Sequence, residues 1–415
     1  MTTFGTQLSV NSPADILSYI PHALGFHPVE SLVVLTLHGK KLGATLRVDL
    51  PAPGCDPADF ARGACSFLAA DSAADGSLLV LYTSAPWLQP DGPPHHLLVE
   101  QLRDNLRSIS MALRDGWLVS GTFWREYFCD DADCCPWPGH PLHEISDSTL
   151  NAAMIFTGST VAGSVNAAVH ASVAPSLLDR HEVDSAAGRY QVLCEGRWRD
   201  RNQFAAVART WDAVLTEGRT AIAALDADTA GYLLASLRSR TIRDSVLVIA
   251  ARGYAEAWSG TEACGVLQDN SDPFRATVWP GSRIVNARSD GTGTVDSDPL
   301  LPPSEDPAAR YGDLLSGRFG GQLNWERIDV AAELLGSLSG LASGEVRAAV
   351  CSMLGWIEFA RGRGSRAGVH LQEALASAPG YRLALLMEEL ISRGGMPVWA
   401  LRRETAWRER RPARA

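Results

Sequence analysis

The chain has 415 residues, too many for one ordinary hydrophobic core, which predicts two or three packed units. Hydrophobic residues make up 46% and charged residues 20%, a globular composition that argues against long disorder. The net charge of −10 argues against nucleic acid or an anionic membrane surface as partner, because both need clustered positive charge.

Lysine occurs only at Lys40 and Lys41, so arginine carries nearly all the positive charge. The one basic concentration is the tail, with Arg402, Arg403, Arg408, Arg410, Arg411 and Arg414 interrupted by Glu404 and Glu409. It reads as a solvated helix end rather than a site for an acidic partner. The first basic residue is Lys40, so the charged start of a secretory signal is missing and a cytoplasmic location is expected. The uncharged stretch from Ser148 to Leu178 holds too many Ser, Thr, Asn and Gly residues for a bilayer span.

In chain order, Asp15 to Leu24 reads as a short helix capped by Ser12 or Asp15 and ended or kinked at Pro21. The run Ser31 to Leu37 suits a strand buried on both faces. A turn at Gly39-Lys40 leads to a second strand, Leu42 to Leu50. Pro57 to Ala70 is helical, and Ser77 to Thr83 is another buried strand. A helix follows from about His95 to Arg114, with Leu98, Leu102, Leu106, Ile109 and Leu113 at helical spacing. Trp117 to Phe128 supplies one or two further strands. This order predicts an α/β N-terminal domain, a mixed sheet with flanking helices.

From Leu150 to about Leu267 the pattern is mainly helical, with a helix from Arg199 to Leu225 and another, capped by Asp228, from Thr229 to Arg238. Val246 to Ile249 suits helix or strand equally. Ser289 to Pro307 is rich in Ser, Asp, Gly and Pro and reads as a linker. The expected organisation is therefore an α/β domain at 1–150, a helical middle at 151–288, a linker at 289–307 and a helical rear at 308–415.

Residues 348–381 fit one tetratricopeptide-type helical hairpin. Leu354 and Gly355 supply the large and small residues of the first helix, and Gly362 sits at the turn. Ala367, Leu371, Ala374 and Leu375 follow on the second helix, and Pro379 ends it. Glu358 departs from the aromatic pattern of that motif. Such hairpins offer a surface for a protein partner or serve only to cover another domain.

Folding the first hairpin about Gly39-Lys40 brings Ser31 near Val48 and Asp49. His27, Ser31, Arg47 and Asp49 are therefore candidates for a catalytic group of hydrolase type at one end of the sheet. No G-x-S-x-G elbow accompanies them.

Cys129, Cys134 and Cys135 cluster ahead of His140 and His143. Zinc needs four soft or borderline ligands, and Cys129, Cys134 or Cys135, His140 and His143 are the candidates. A redox disulfide from Cys129 to Cys134 or Cys135 and a tight loop of inert thiols are the alternatives. No phosphate-binding loop, dinucleotide fingerprint or H-E-x-x-H motif is present, so no cofactor is expected, with zinc at the cysteine cluster as the alternative.

The run PHALGFHPVESLVVLTL, with Arg47 to Pro51 as RVDLP, resembles the signature of an uncharacterised actinobacterial family, domain of unknown function 4192. CCPWPGHPL after Cys129, Ile242-Arg243-Asp244 after LLASLRS, and GWIEFARGRGSRAGVHLQEALASAPGY are similar to the same family. The resemblance implies a cytoplasmic protein from a high-GC bacterium and brings no activity, cofactor or catalytic residue. The expected function is a non-catalytic interaction or regulatory protein using its C-terminal helices. The alternatives are a hydrolase at the His27/Ser31/Asp49 end of the sheet and a metal- or redox-responsive regulator through the three cysteines.

Overall fold

The computed structural model describes residues 9–87, 92–172, 176–268, 273 and 305–408. The chain divides into two compact units, 1–171 and 172–415.

The first unit is built on a six-stranded sheet. Its strands are β1 (Ser31–His38), β2 (Lys41–Asp49), β3 (Gly76–Tyr82), β4 (Leu113–Val119), β5 (Phe123–Glu126) and β6 (His140–Pro141), in the order β2-β1-β3-β4-β5-β6. Only β3 and β4 pair in parallel; the remaining neighbours are antiparallel, so the sheet is mixed as expected. The apolar runs of β1 and β3 are explained by their cover. Leu32, Val34, Leu79 and Leu81 pack with helices Pro57–Leu68 and His96–Ser108, while Val33, Leu35 and Val80 pack with Leu17 and Ile20 of helix Pro13–Leu24. Both faces of the central strands are thus buried, and alternation disappears from their sequence.

Local chemistry sets the element ends. Ser12 accepts the Asp15 N–H at 3.2 Å and Pro13 opens the first helix. Pro21 does not end that helix. It lies in the last turn, and the Gly25 N–H closes the helix onto its carbonyl at 2.7 Å. The helix expected from His95 to Arg114 stops at Ser108, since Ser110 takes a left-handed φ of 60° and Leu113 already opens β4. Leu113 kept helical spacing by coincidence and reaches the same core from the strand.

The second unit is helical. One buried cluster takes in described residues from Val183 to Trp399. The stretch expected as one helix from Arg199 breaks at Gly218 into Arg201–Glu217 and Arg219–Ala223. Asp226, not Asp228, caps helix Ala227–Ser236 by accepting the Thr229 N–H at 2.7 Å. The Asp228 carboxylate instead takes the Tyr190 hydroxyl at 2.9 Å. Val246 to Ile249 lie inside helix Arg240–Arg252. Helices Gly344–Ala360 and Gly364–Ser377 pack closely at Gly355, where a Cβ would stand 2.8 Å from the Leu371 side chain. The expected linker lies, up to residue 304, outside the described residues.

Among the described residues of the tail, up to Arg408, no α-helix forms. A short 3-10 turn, Val398–Leu401, folds back so that Trp399 is fully buried and donates from Nε1 to the Ala360 carbonyl at 2.8 Å. Arg402, Arg403 and Arg408 follow it; Arg410, Arg411 and Arg414 lie outside the described residues.

Candidate metal centre

Strand β5 places Trp124 in the core and turns Arg125 to the opposite face. The chain then leaves the sheet, runs through the cysteine loop and returns as β6, where His140 pairs with Trp124. The return passes so close to β5 that a Cβ on Gly139 would stand 2.6 Å from the Trp124 carbonyl oxygen, and its φ is 154°. Only glycine fits there. Within the loop, Asp131 makes the turn: its carboxylate accepts the Asp133 N–H at 2.9 Å and its carbonyl accepts the Cys135 N–H at 2.7 Å. This turn brings Cys134 and Cys135 back under Cys129.

The result is one group of four. The thiols of Cys129, Cys134 and Cys135 and a carboxylate oxygen of Glu126 all lie within 4.8 Å of one another. Four ligands about 2.3 Å from a tetrahedral ion stand roughly 3.8 Å apart, so a small contraction would close this group on a cation. Cys135 is buried, Cys129 half-buried and Cys134 exposed, which gives the group one open side. Burial first, then the hydrogen bond to Cys129, pushes the Cys135 thiol up to about 12. That is the reverse of an activated nucleophilic cysteine. Burial also raises the Glu126 carboxyl, and the charge and hydrogen bond of Asp115 raise it further.

The two histidines do not join the group. His140 stacks on Trp124 with ring centroids 4.5 Å apart and donates from Nε2 to the Cys134 carbonyl at 3.2 Å. Its Nδ1 faces Glu144 at 3.6 Å. His143 opens the short helix His143–Ser146. Glu126 takes the place expected of the histidines. The spacing Glu126-x-x-Cys129 was the available signal, and reading the cysteines together with the histidines after them passed it over.

A second unforeseen residue is Arg125. The residue is buried, with 6% exposure, and its guanidinium lies against two indoles, 4.3 Å from the Trp87 ring and 5.2 Å from the Trp137 ring. Nη2 donates to the Cys129 carbonyl at 3.3 Å, while Nε and Nη1 are buried without a hydrogen-bond partner. A buried guanidinium with one neutral acceptor is poorly compensated.

The front constellation assembles only in part. Ser31 pairs with Asp49 across the hairpin, Arg47 Nε donates to the Ser31 hydroxyl at 3.0 Å, and Arg47 Nη2 stands 2.5 Å from Asp49 Oδ1. The fully buried Ser31 hydroxyl donates to the Val29 carbonyl at 2.6 Å. His27 is exposed, and no hydrogen bond joins it to Ser31 or Asp49 among the described residues. Partial desolvation by the surrounding chain, then the neighbouring His22, lowers the His27 pKa although its surface is exposed. Among the described residues the hydrogen-bond partners of the Ser31 hydroxyl are the Val29 carbonyl and Arg47, neither of which is a general base.

The family model described as Domain of unknown function (DUF4192) matches residues 13–278 and 293–398. The chain belongs to this family. No curated protein and no solved structure matches it. The DUF4192 match takes in the cysteine loop, the hairpin and most of the helical second unit. No helix among the described residues of this DUF4192 chain is long and apolar enough to cross a membrane.

Proposed function

We propose that Glu126, Cys129, Cys134 and Cys135 hold a soft divalent cation, zinc foremost, and that the protein is a metal-responsive regulatory protein. The convergence of three thiols and one carboxylate within 4.8 Å carries this reading. A dication bound by three thiolates and a carboxylate leaves an anionic centre, and the poorly compensated Arg125 beside the loop supports a negative charge there. In this reading the closely packed pair Gly344–Ala360 and Gly364–Ser377 is a tetratricopeptide-like hairpin that serves a protein partner.

Metal analysis of protein purified without chelator tests the proposal. One equivalent of zinc is expected, together with a thiolate-to-metal charge-transfer band after cobalt substitution that disappears in Cys135→Ser. Sub-stoichiometric zinc and a cobalt spectrum without thiolate ligation would sink it. The proximity of an exposed Cys134 to Cys129 favours a second reading, a redox disulfide. Mild oxidant would then remove two hydrogens by mass and two titratable thiols, with no metal bound beforehand.

A further inference from the structure

Helices Arg240–Arg252 and Arg382–Ser392 both begin with arginine. A cation in the first turn faces the positive end of the helix dipole, so each placement is locally unfavourable. Neither helix carries an acid in its first turn, and neither N-cap side chain, Ser239 or Tyr381, bonds the free backbone N–H groups. Both helix starts open on one cavity of about 230 Å³. Arg240, Arg243 and Arg382 supply its positive groups, and Leu247, Leu315, Trp356 and Leu386 line its apolar part.

Asp244 is the single acid in that lining, and Arg243 holds it at 2.6 Å while donating from Nη1 to the Tyr381 hydroxyl at 2.8 Å. The Arg243 side chain is 7% exposed, so this pair forms a fixed wall. Arg240 and Arg382 are exposed and make no ion pair or side-chain hydrogen bond among the described residues. Two exposed guanidinium groups without an ion pair among the described residues, one of them (Arg240) also in the field of Asp244, meet two helix starts without a side-chain cap and an apolar floor at one opening.

We infer that this cavity binds a small amphipathic oxyanion, a carboxylate or phosphate ester whose head lies between Arg240 and Arg382 and whose short hydrocarbon body rests on Leu247, Leu315, Trp356 and Leu386. The forked guanidinium suits both head groups, and the free N–H groups of the helix starts complement the same charge. The volume lies below the roughly 300–1,000 Å³ of drug-sized sites, which restricts the body to a few carbons. This inference stands apart from the metal centre, since every residue it uses belongs to the helical unit.

Isothermal titration calorimetry on the full-length protein tests it, with hexanoate, hexyl phosphate, inorganic phosphate and hexanol as probes. Hexanoate or hexyl phosphate is expected to bind saturably and at least tenfold tighter than inorganic phosphate or hexanol. The stronger of the first two identifies the head group. The double variant Arg240→Gln/Arg382→Gln changes two exposed side chains and is expected to keep its helical circular dichroism while losing at least tenfold in affinity. The inference is overturned if neither amphiphile binds, if inorganic phosphate or hexanol binds as tightly, or if the double variant binds unchanged.

Discussion

Two arginines, one in each unit, are stacked on tryptophan and end up in opposite electrostatic situations. Arg361 lies 5.2 Å from the Trp407 ring and reaches two carboxylates, Glu358 and Asp329, each at 2.6 Å. Trp407 completes the set by donating from Nε1 to Asp329 at 2.9 Å. Arg125 is stacked between Trp87 and Trp137 and, among the described residues, hydrogen-bonds a backbone carbonyl alone. In the first arrangement two carboxylates answer the guanidinium charge, although Arg361 Nε and Glu358 Oε2 are buried without a hydrogen bond, and the network fastens the folded-back tail. The second is open, and a thiol-rich group stands at the end of the same strand. A buried cation that the protein itself has not balanced points to where something else supplies the balance.

Removing each guanidinium is the sharpest way to break this comparison. Arg361→Ala strands Glu358 and Asp329 and is expected to cost about 3–5 kcal/mol in urea unfolding, the usual result of breaking a buried network from one side. Saturating zinc, at a hundredfold excess over its dissociation constant, is expected to stabilise the first unit by about 2.7 kcal/mol, and Cys135→Ser abolishes that gain. Equal melting curves with and without zinc would remove the metal centre from the comparison. Gly139→Ala drives a Cβ into the Trp124 carbonyl and is expected to cost about 1–3 kcal/mol, weakening zinc binding with it.

A pH experiment probes a third polar group, at the turn of the first hairpin. The Asp71 carboxylate accepts the Thr36 hydroxyl at 2.5 Å and faces His38 Nε2 at 2.9 Å. Burial raises its pKa, but the hydrogen bonds from Thr36 and His38 outweigh burial and hold it below the ordinary value. A depressed carboxyl contributes stability that is present above its unfolded pKa and is lost as pH falls through the folded one. Asp71→Asn is expected to cost about 1–2 kcal/mol at neutral pH and to flatten the loss of stability below about pH 4. An unaltered acid limb would show that Asp71 is not linked to folding. The smallest effect is expected for Arg125→Met. Metal-free protein should change by less than about 1 kcal/mol, since an uncompensated charge is exchanged for an apolar chain of similar length, while zinc affinity falls. A loss as large as that of Arg361→Ala would erase the distinction between the two arginines.

Much of the fold was legible because it depends on neighbours along the chain. Ser12 before Pro13, the apolar runs of β1 and β3, and the turn at Gly39 each act within a few residues, and the structure follows them. Counting outward from that turn sets Ser31 opposite Val48, and an irregularity between Leu35 and Leu37 shifts the register by one and puts Asp49 there instead. The misplaced ends came where two local signals competed. Leu113 kept helical spacing beyond a residue, Ser110, that had already left the helix, and Asp228 offered itself as a cap two positions after Asp226 had taken the role.

The sites divide along the same line. The sequence by itself determined that three thiols share a short loop closed by a glycine, because loop length and backbone freedom are local properties. The tertiary structure alone decided that Glu126 faces them and that the two histidines do not. That choice depends on which side of β5 each residue leaves and on how β6 returns beside it. It also decided that Arg240 and Arg382 flank one cavity and that Glu358 belongs to a buried network with Arg361. Charges so arranged interact through space at a few ångströms, and their separation along the chain carries no trace of it.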